Sequence, residues 1–179
     1  MEFVFEDLYR KYHQDLFQFV FYMTRDRTLT EDLVQEVYIR VMRSYNSFRG
    51  ESSEKTWLFS IARNVTIDYF RSQNRKKNII SQFFDWNKKG DFLPDHQPLP
   101  EEILLQNEEA NQVYTYLEQC TIDQRSVLIL RFIQSMSIKE TASILGFSES
   151  KVKTTQHRGL KVLKTHIQAE KLKGEAYDE

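Results

Sequence analysis

Across 179 residues the chain is 40% hydrophobic and 28% charged, which excludes a disordered chain and leaves room for one ordinary domain or two small ones. With only 5 glycines and 3 prolines, turn chemistry is too sparse for a many-stranded sheet, so an all-α fold is expected. The formal net charge of −1 argues against a nucleic-acid binder, but the charges are segregated along the chain, and distribution outweighs the sum.

The first apolar stripe runs through Phe5, Leu8, Tyr9, Tyr12, Leu16, Phe19, Val20 and Met23, a helical period. Thr30 is the expected cap of a second helix, with Glu31 and Asp32 in its first turn and Val34, Val37, Tyr38, Val41 and Tyr45 facing inward. Asn46 to Ser53 reads as a loop broken at Gly50, with Ser52 or Ser53 capping a third helix that buries Leu58, Ile61, Ala62, Val65 and Tyr69. These three helices form a first bundle over residues 1–77. Residues 78–105 hold all three prolines together with Asp85, Asp91, Asp95, Glu101 and Glu102, and read as an acidic linker with a short helix around Phe83 to Trp86. Helical pattern resumes from about Glu101, and a second domain spans 106–170, followed by a polar tail at 171–179. Within it, Asp123 is the expected cap of a helix to Gln134 that is apolar nearly all round (Val127, Leu128, Leu130, Phe132, Ile133) and so belongs inside a small core.

A lone cysteine, Cys120, excludes an internal disulfide framework and suits a reducing compartment. No apolar run is long enough to span a bilayer, and Met1 to Asp7 lacks the basic-then-apolar pattern of a secretory leader. A cytoplasmic protein, not itself a membrane protein, is expected.

The sharpest signal lies near the C-terminus. Ser137 caps a short helix whose inward positions are Ile138, Ala142 and Leu145; Gly146 ends it, and Ser148 caps the next helix with Glu149 in its first turn. A short helix, a glycine turn and a second helix is the helix-turn-helix pattern. At roughly 100° per residue, Val152, Leu160, Leu163 and Ile167 share one stripe of that second helix. The opposite side carries Ser150, Lys151, Thr154, His157, Arg158, Lys161 and Lys164, with Lys153 on the flank. Such side chains reach base edges and phosphates in a major groove; on an isolated helix they would as readily be a solvated face.

The third helix also has an unusual outer face, where Arg63, Ile67, Phe70 and Asn74 lie opposite the apolar stripe beside Arg71, Arg75, Lys76 and Lys77. Aromatics beside arginines suit unpaired bases and their phosphates, although a packing face for the linker would look similar. Phe48 and Trp57 near Gly50 extend that surface, with a core position for Trp57 at least as open. Asp68 falls close to the buried side and is expected to pair with a basic neighbour. On the second helix Asp32, Gln35 and Glu36 cluster, and Glu36 pairs with Arg40 one turn on.

These pieces resemble one arrangement. TEDLVQEVYIRV (Thr30 to Val41) resembles the core-polymerase-binding motif of sigma-70-type factors, FRGESSEKTWLFSIARNVTIDYFR (Phe48 to Arg71) their promoter-melting segment, and SIKETASILGFSESKVKTTQHRGLKVLK (Ser137 to Lys164) their C-terminal helix-turn-helix. The three motifs are co-linear and cover nearly everything but the linker, whose shortness is the layout of the extracytoplasmic-function group. The resemblance implies two small helical domains, sigma regions 2 and 4. Asp32, Leu33, Gln35 and Glu36 would meet the clamp coiled coil of core RNA polymerase. Phe48, Arg49, Trp57, Arg63, Asn64, Ile67 and Arg71 would hold the melted −10 strand of promoter DNA. Ser148, Ser150, Lys151, Lys153, Thr154, His157 and Arg158 would read the −35 duplex. It further implies a membrane-anchored anti-sigma factor as a partner, and no cofactor.

Other classes fit less well. A repressor or activator with the same helix-turn-helix would need a sensor or dimerisation part where the chain instead has a basic, aromatic face. An anti-sigma factor would not carry two basic surfaces. For an enzyme, His13, His96, His157 and His166 are scattered, Cys120 has no marked partner, and Asp32 with Glu36 lack a third metal ligand.

Overall fold

The computed structural model describes residues 2–83 and 108–175, with side chains over 6–75 and 113–169, and among these residues only helices and connections occur. Helices α1 (Glu2–Thr24), α2 (Arg27–Ser44) and α3 (Glu54–Phe83) build the first part, with a 3-10 turn at Tyr45–Ser47. The second part comprises α4 (Glu108–Glu118), α5 (Ile122–Leu128) running into a π turn at Ile129–Ile133, α6 (Ile138–Leu145) and α7 (Glu149–Glu175). The expected acidic linker, its short helix and the start of the helical pattern at Glu101 fall largely on residues 84–107, outside the described residues. Helix α3 runs on past residue 77, and α7 continues into the stretch expected to be a polar tail.

Leu8, Leu16, Phe19, Val20 and Met23 of α1 are buried as their spacing predicts, against Val34, Val37, Tyr38 and Val41 of α2 and Leu58, Ala62 and Val65 of α3. The rings of Phe19 and Phe59 meet at 5.5 Å between centroids. Each large side chain withdrawn from water here contributes about 1.5–3 kcal/mol, which is what holds three individually marginal helices together. Tyr9 departs from the stripe: it is 43% exposed and its ring stacks on His13 at 4.2 Å. Phe21 and Tyr22, off the stripe, are buried because the second part covers them.

Several caps differ from expectation. Asp26, not Thr30, caps α2 through a 2.9 Å bond accepted from the Leu29 amide. Thr30 lies wholly buried one turn into the helix, bonding its hydroxyl back to the Asp26 carbonyl, so Glu31 and Asp32 sit beyond the first turn. Thr121, not Asp123, caps α5, in a reciprocal box with Gln124. The helix expected to run unbroken to Gln134 gives way to the π turn, whose extra residue rotates Phe132 outward to 54% exposure. Ser53 caps α3 as expected, accepting from the Thr56 amide at 3.1 Å.

Candidate nucleic-acid interface

The first face grows from the end of α2. The 3-10 turn and the left-handed Gly50 (φ 71°) fold the chain back toward α3, so that Tyr45, Phe48 and Trp57 converge. Phe48 and Trp57 lie 4.9 Å apart between centroids and Tyr45 meets Trp57 edge-on at 5.9 Å. All three are half-buried, so Trp57 is both core and surface. A cavity of about 320 Å³ opens there, lined by Ser47, Phe48, Arg49, Glu51, Ser52 and Trp57. A second, of about 340 Å³, follows along the α2–α3 seam, lined by Arg40, Arg43, Ser44, Ile61 and Asn64. Aromatic walls, hydroxyls and guanidinium groups together can stack a base and hold its phosphate. Arg63 donates from Nη1 to Asn64 Oδ1 at 3.1 Å, while its Nε is buried without a partner, a donor that an incoming acceptor would satisfy. Asn64 and Arg71 are exposed beside it. Ile67 is not on this face: at 7% exposure it belongs to the core, because α3 is buried across a wide arc that includes Thr66 and Ile67 as well as the expected stripe.

The second face lies on α2. Asp32 and Gln35 are exposed, and half-buried Glu36 accepts from Arg40 Nε at 2.8 Å. The same guanidinium lies 3.6 Å from Asp68, which is paired as expected but stands well exposed rather than near the core. Leu33, at 8% exposure, faces inward and supports this strip from beneath instead of presenting a side chain. Sequence reading passed over Ile39 and Met42, which continue the strip at helical spacing with 43% and 60% exposure; the signal available was apolar residues in phase with Gln35.

The third face is the helix-turn-helix. Ser137 accepts from the Glu140 amide at 3.1 Å and its own amide donates to the Glu140 carboxylate at 2.8 Å, which holds that carboxyl below its ordinary range. Gly146 adopts φ 65°, the left-handed exit that only glycine takes without strain, and Ser148 accepts from the Lys151 amide at 3.1 Å to start α7. Ser150, Lys153, Thr154, His157 and Arg158 are all exposed on one side of α7, and its cap Ser148 is exposed just before the helix begins. Lys151 is exposed too, but its ammonium sits 3.4 Å over the Phe147 ring and 3.6 Å from Asp123, tying α7 to the turn and to α5. The inward stripe also needs correction. Leu160 is 40% exposed, and the buried position is Gly159, which lets α7 approach Leu128 of α5 so closely that a Cβ there would lie 2.9 Å from Leu128 Cδ1.

No described helix is long and apolar enough to cross a membrane, and the described residues contain no cluster of His, Cys, Asp or Glu suited to a metal.

The family models that match are sigma-70 region 2, over residues 8–76, and sigma-70 region 4, over residues 110–163. The chain is 59% identical to the ECF RNA polymerase sigma factor SigX of Bacillus subtilis over 168 residues, covering 94% of this chain and 86% of that protein. It is 34% identical to the RNA polymerase sigma factor YlaC of the same organism, covering 90% of this chain and 91% of the relative. Among solved structures it resembles the sigma factor RpoE in complex with the anti-sigma factor NepR from Bartonella quintana. That likeness has TM-score 0.66 and 25% identity, over 92% of this chain and 96% of the other. The three exposed faces thus stand on the two regions that define a family of transcription factors rather than enzymes, and the chain belongs to the extracytoplasmic-function group of the sigma-70 family.

Proposed function

We propose that this ECF sigma factor gives core RNA polymerase its promoter selectivity by dividing the work among the three faces. The strip of Asp32, Gln35 and Glu36, extended by Ile39 and Met42, docks on the clamp coiled coil of the largest polymerase subunit. The aromatic cavity of Phe48 and Trp57 receives an unstacked base of the −10 element, with Arg49, Arg63, Asn64 and Arg71 holding the strand beside it. Extracting a base costs a few kcal/mol, and stacking on aromatic rings at about 1–3 kcal/mol per base, with charge-assisted phosphate contacts, is the right size to offset it. Ser150, Lys153, Thr154, His157 and Arg158 read the −35 duplex in the major groove, while Lys151 braces the helix that carries them. The chain works in the cytoplasm, and a membrane-anchored anti-sigma factor holds it inactive; the RpoE–NepR likeness supports the anti-sigma part of that reading.

The observation that carries the proposal is the cavity of about 320 Å³ beside Trp57, a single-strand site on a protein whose other DNA-facing helix suits duplex. Equilibrium binding to core polymerase and to a forked −10 fragment tests it. An Asp32→Ala, Gln35→Ala variant loses core affinity and keeps its helix content, whereas Trp57→Ala keeps core affinity and loses capture of the single strand. Undiminished core binding by the first variant and strand capture by the second would overturn the assignment.

A further inference from the structure

Helix α7 is 27 residues long, about 40 Å at about 1.5 Å per residue. The reading residues Ser150 to Arg158 occupy only about 12 Å of that length, roughly the width of a B-DNA major groove. Their face does not stop at Arg158. With the helix turning about 100° per residue, Lys161 and Thr165 lie in line with Thr154 and Arg158, and Lys164 follows His157. Lys161, Lys164 and Thr165 are all exposed. The opposite side of the same stretch is anchored, with Val152 and Gly159 buried and Val162 and Leu163 packed against the core. Packing therefore holds the two lysines on the side that carries the reading residues.

Their charge serves nothing within the chain. From Ser150 to Ala169 the helix has no acidic residue. Lys161 has Arg158 and Lys164 three positions away on either side, an arrangement that repels and weakens a helix. Among the described residues neither lysine forms an ion pair, whereas Lys151 is held by Phe147 and Asp123. Both stand about three turns or more before the helix ends at Glu175, beyond the reach of the macrodipole's negative pole. Thr165 spends its hydroxyl proton on the Lys161 carbonyl at 3.0 Å, so the two ammonium groups are the charged donors of this surface.

A helix that reads bases with its N-terminal end leaves the groove across the sugar-phosphate strand at the groove's lip. Along the axis Lys161 lies about 4.5 Å and Lys164 about 9 Å past Arg158, which brings both to that lip. Resting on the assignment of α7 to the −35 duplex, we propose that Lys161 and Lys164 bind the phosphates bordering the −35 element. The middle of α7 is then a clamp that adds affinity without adding sequence preference, outside the base pairs that Ser150 to Arg158 read. Continuity with the reading face and the unbroken positive charge favour DNA phosphate over an acidic protein as the occupant.

The test uses the full chain in fluorescence anisotropy with two duplexes of one sequence. One has ordinary linkages throughout, and the other has uncharged methylphosphonate linkages flanking the −35 element. Lys161→Gln with Lys164→Gln removes both charges at little cost in helix propensity. Each phosphate contact adds about 0.9 to the slope of log affinity against log salt. On the ordinary duplex the wild type therefore loses about twelvefold more affinity than the double variant between about 50 and about 200 mM salt. On the neutralised duplex the two proteins share one slope, and both rank altered −35 sequences in the same order. Lys161→Arg with Lys164→Arg keeps the wild-type slope. Equal slopes for the wild type and the glutamine variant on the ordinary duplex would overturn the clamp, and loss of core polymerase affinity beside them would assign the lysines to an acidic protein surface instead. A difference that persists on the neutralised duplex would place the lysines over the element itself and overturn the clamp equally. Failure of the wild type to bind either duplex would instead overturn the assignment of α7 to −35 DNA.

Discussion

Substitution of Gly159 by alanine separates a recognition helix packed tightly on its support from one merely lying nearby. In an exposed helix interior the change would stabilise the protein by about 1 kcal/mol, since alanine forms helix more readily than glycine. Here the new methyl carbon would stand 2.9 Å from Leu128 Cδ1, 3.2 Å from Leu128 Cγ and 3.4 Å from Gln124 Cβ. Leu128 is only 3% exposed and has little room to yield. Overpacking of a filled site costs about 1–3 kcal/mol, so the sum is a net loss of about 1 kcal/mol. Chemical denaturation of Gly159→Ala measures it, and a cycle with Leu128→Ala locates it: removing the leucine side chain makes room, so the double variant is less destabilised than the two single losses added together. A Gly159→Ala protein more stable than wild type, or strictly additive effects, would refute the close approach of α7 to α5.

Four further outcomes follow from named contacts. Ser137→Ala opens the capping box of α6 and costs about 1 kcal/mol in thermal unfolding, with the α2 and α3 surfaces unchanged. The Glu140 carboxyl is depressed chiefly by its bond to Ser137, so its stabilisation is present above the ordinary carboxylate range and fades as pH falls through and below it. Stability curves of wild type and Ser137→Ala should therefore converge on the acid side, and a constant gap would contradict this. Arg158→Ala weakens binding to −35 duplex and leaves core polymerase affinity intact in a competition assay; equal loss of both would indicate misfolding. Lys151→Ala destabilises the second part by removing the Phe147 and Asp123 contacts and changes sequence preference less than Arg158→Ala does in a binding-site selection.

What the sequence made legible follows from local physics. Ser137, Gly146 and Ser148 act within one or two turns of themselves, so cap, left-handed exit and second cap are where their chemistry demands. Exposure of Lys153, Thr154, His157 and Arg158 follows from helical period alone. The misplaced residues depend on partners distant in the chain. Ile67 has an apolar side chain on a face that periodicity assigns to solvent, and Leu33 is a polymerase contact only by resemblance, yet both are taken into the shared core. Phe21 and Tyr22 are covered by Tyr114, more than ninety positions away, which no spacing argument on α1 reveals. Thr30 lost its expected cap because Asp26, a better acceptor placed one turn earlier, starts the helix first. Leu160 and Gly159 exchanged roles because close packing favoured the residue without a side chain.

The central claim is that this chain makes core RNA polymerase promoter-specific. Run-off transcription with purified core enzyme, with and without the full chain, on genomic fragments bearing candidate promoters addresses it most directly. The account predicts discrete transcripts that appear only when the chain is added, with starts at a fixed distance from a shared pair of upstream sequences. They should be lost with Trp57→Ala and with Arg158→Ala. Tight promoter binding by the chain alone, with no new transcript from core enzyme, would contradict it.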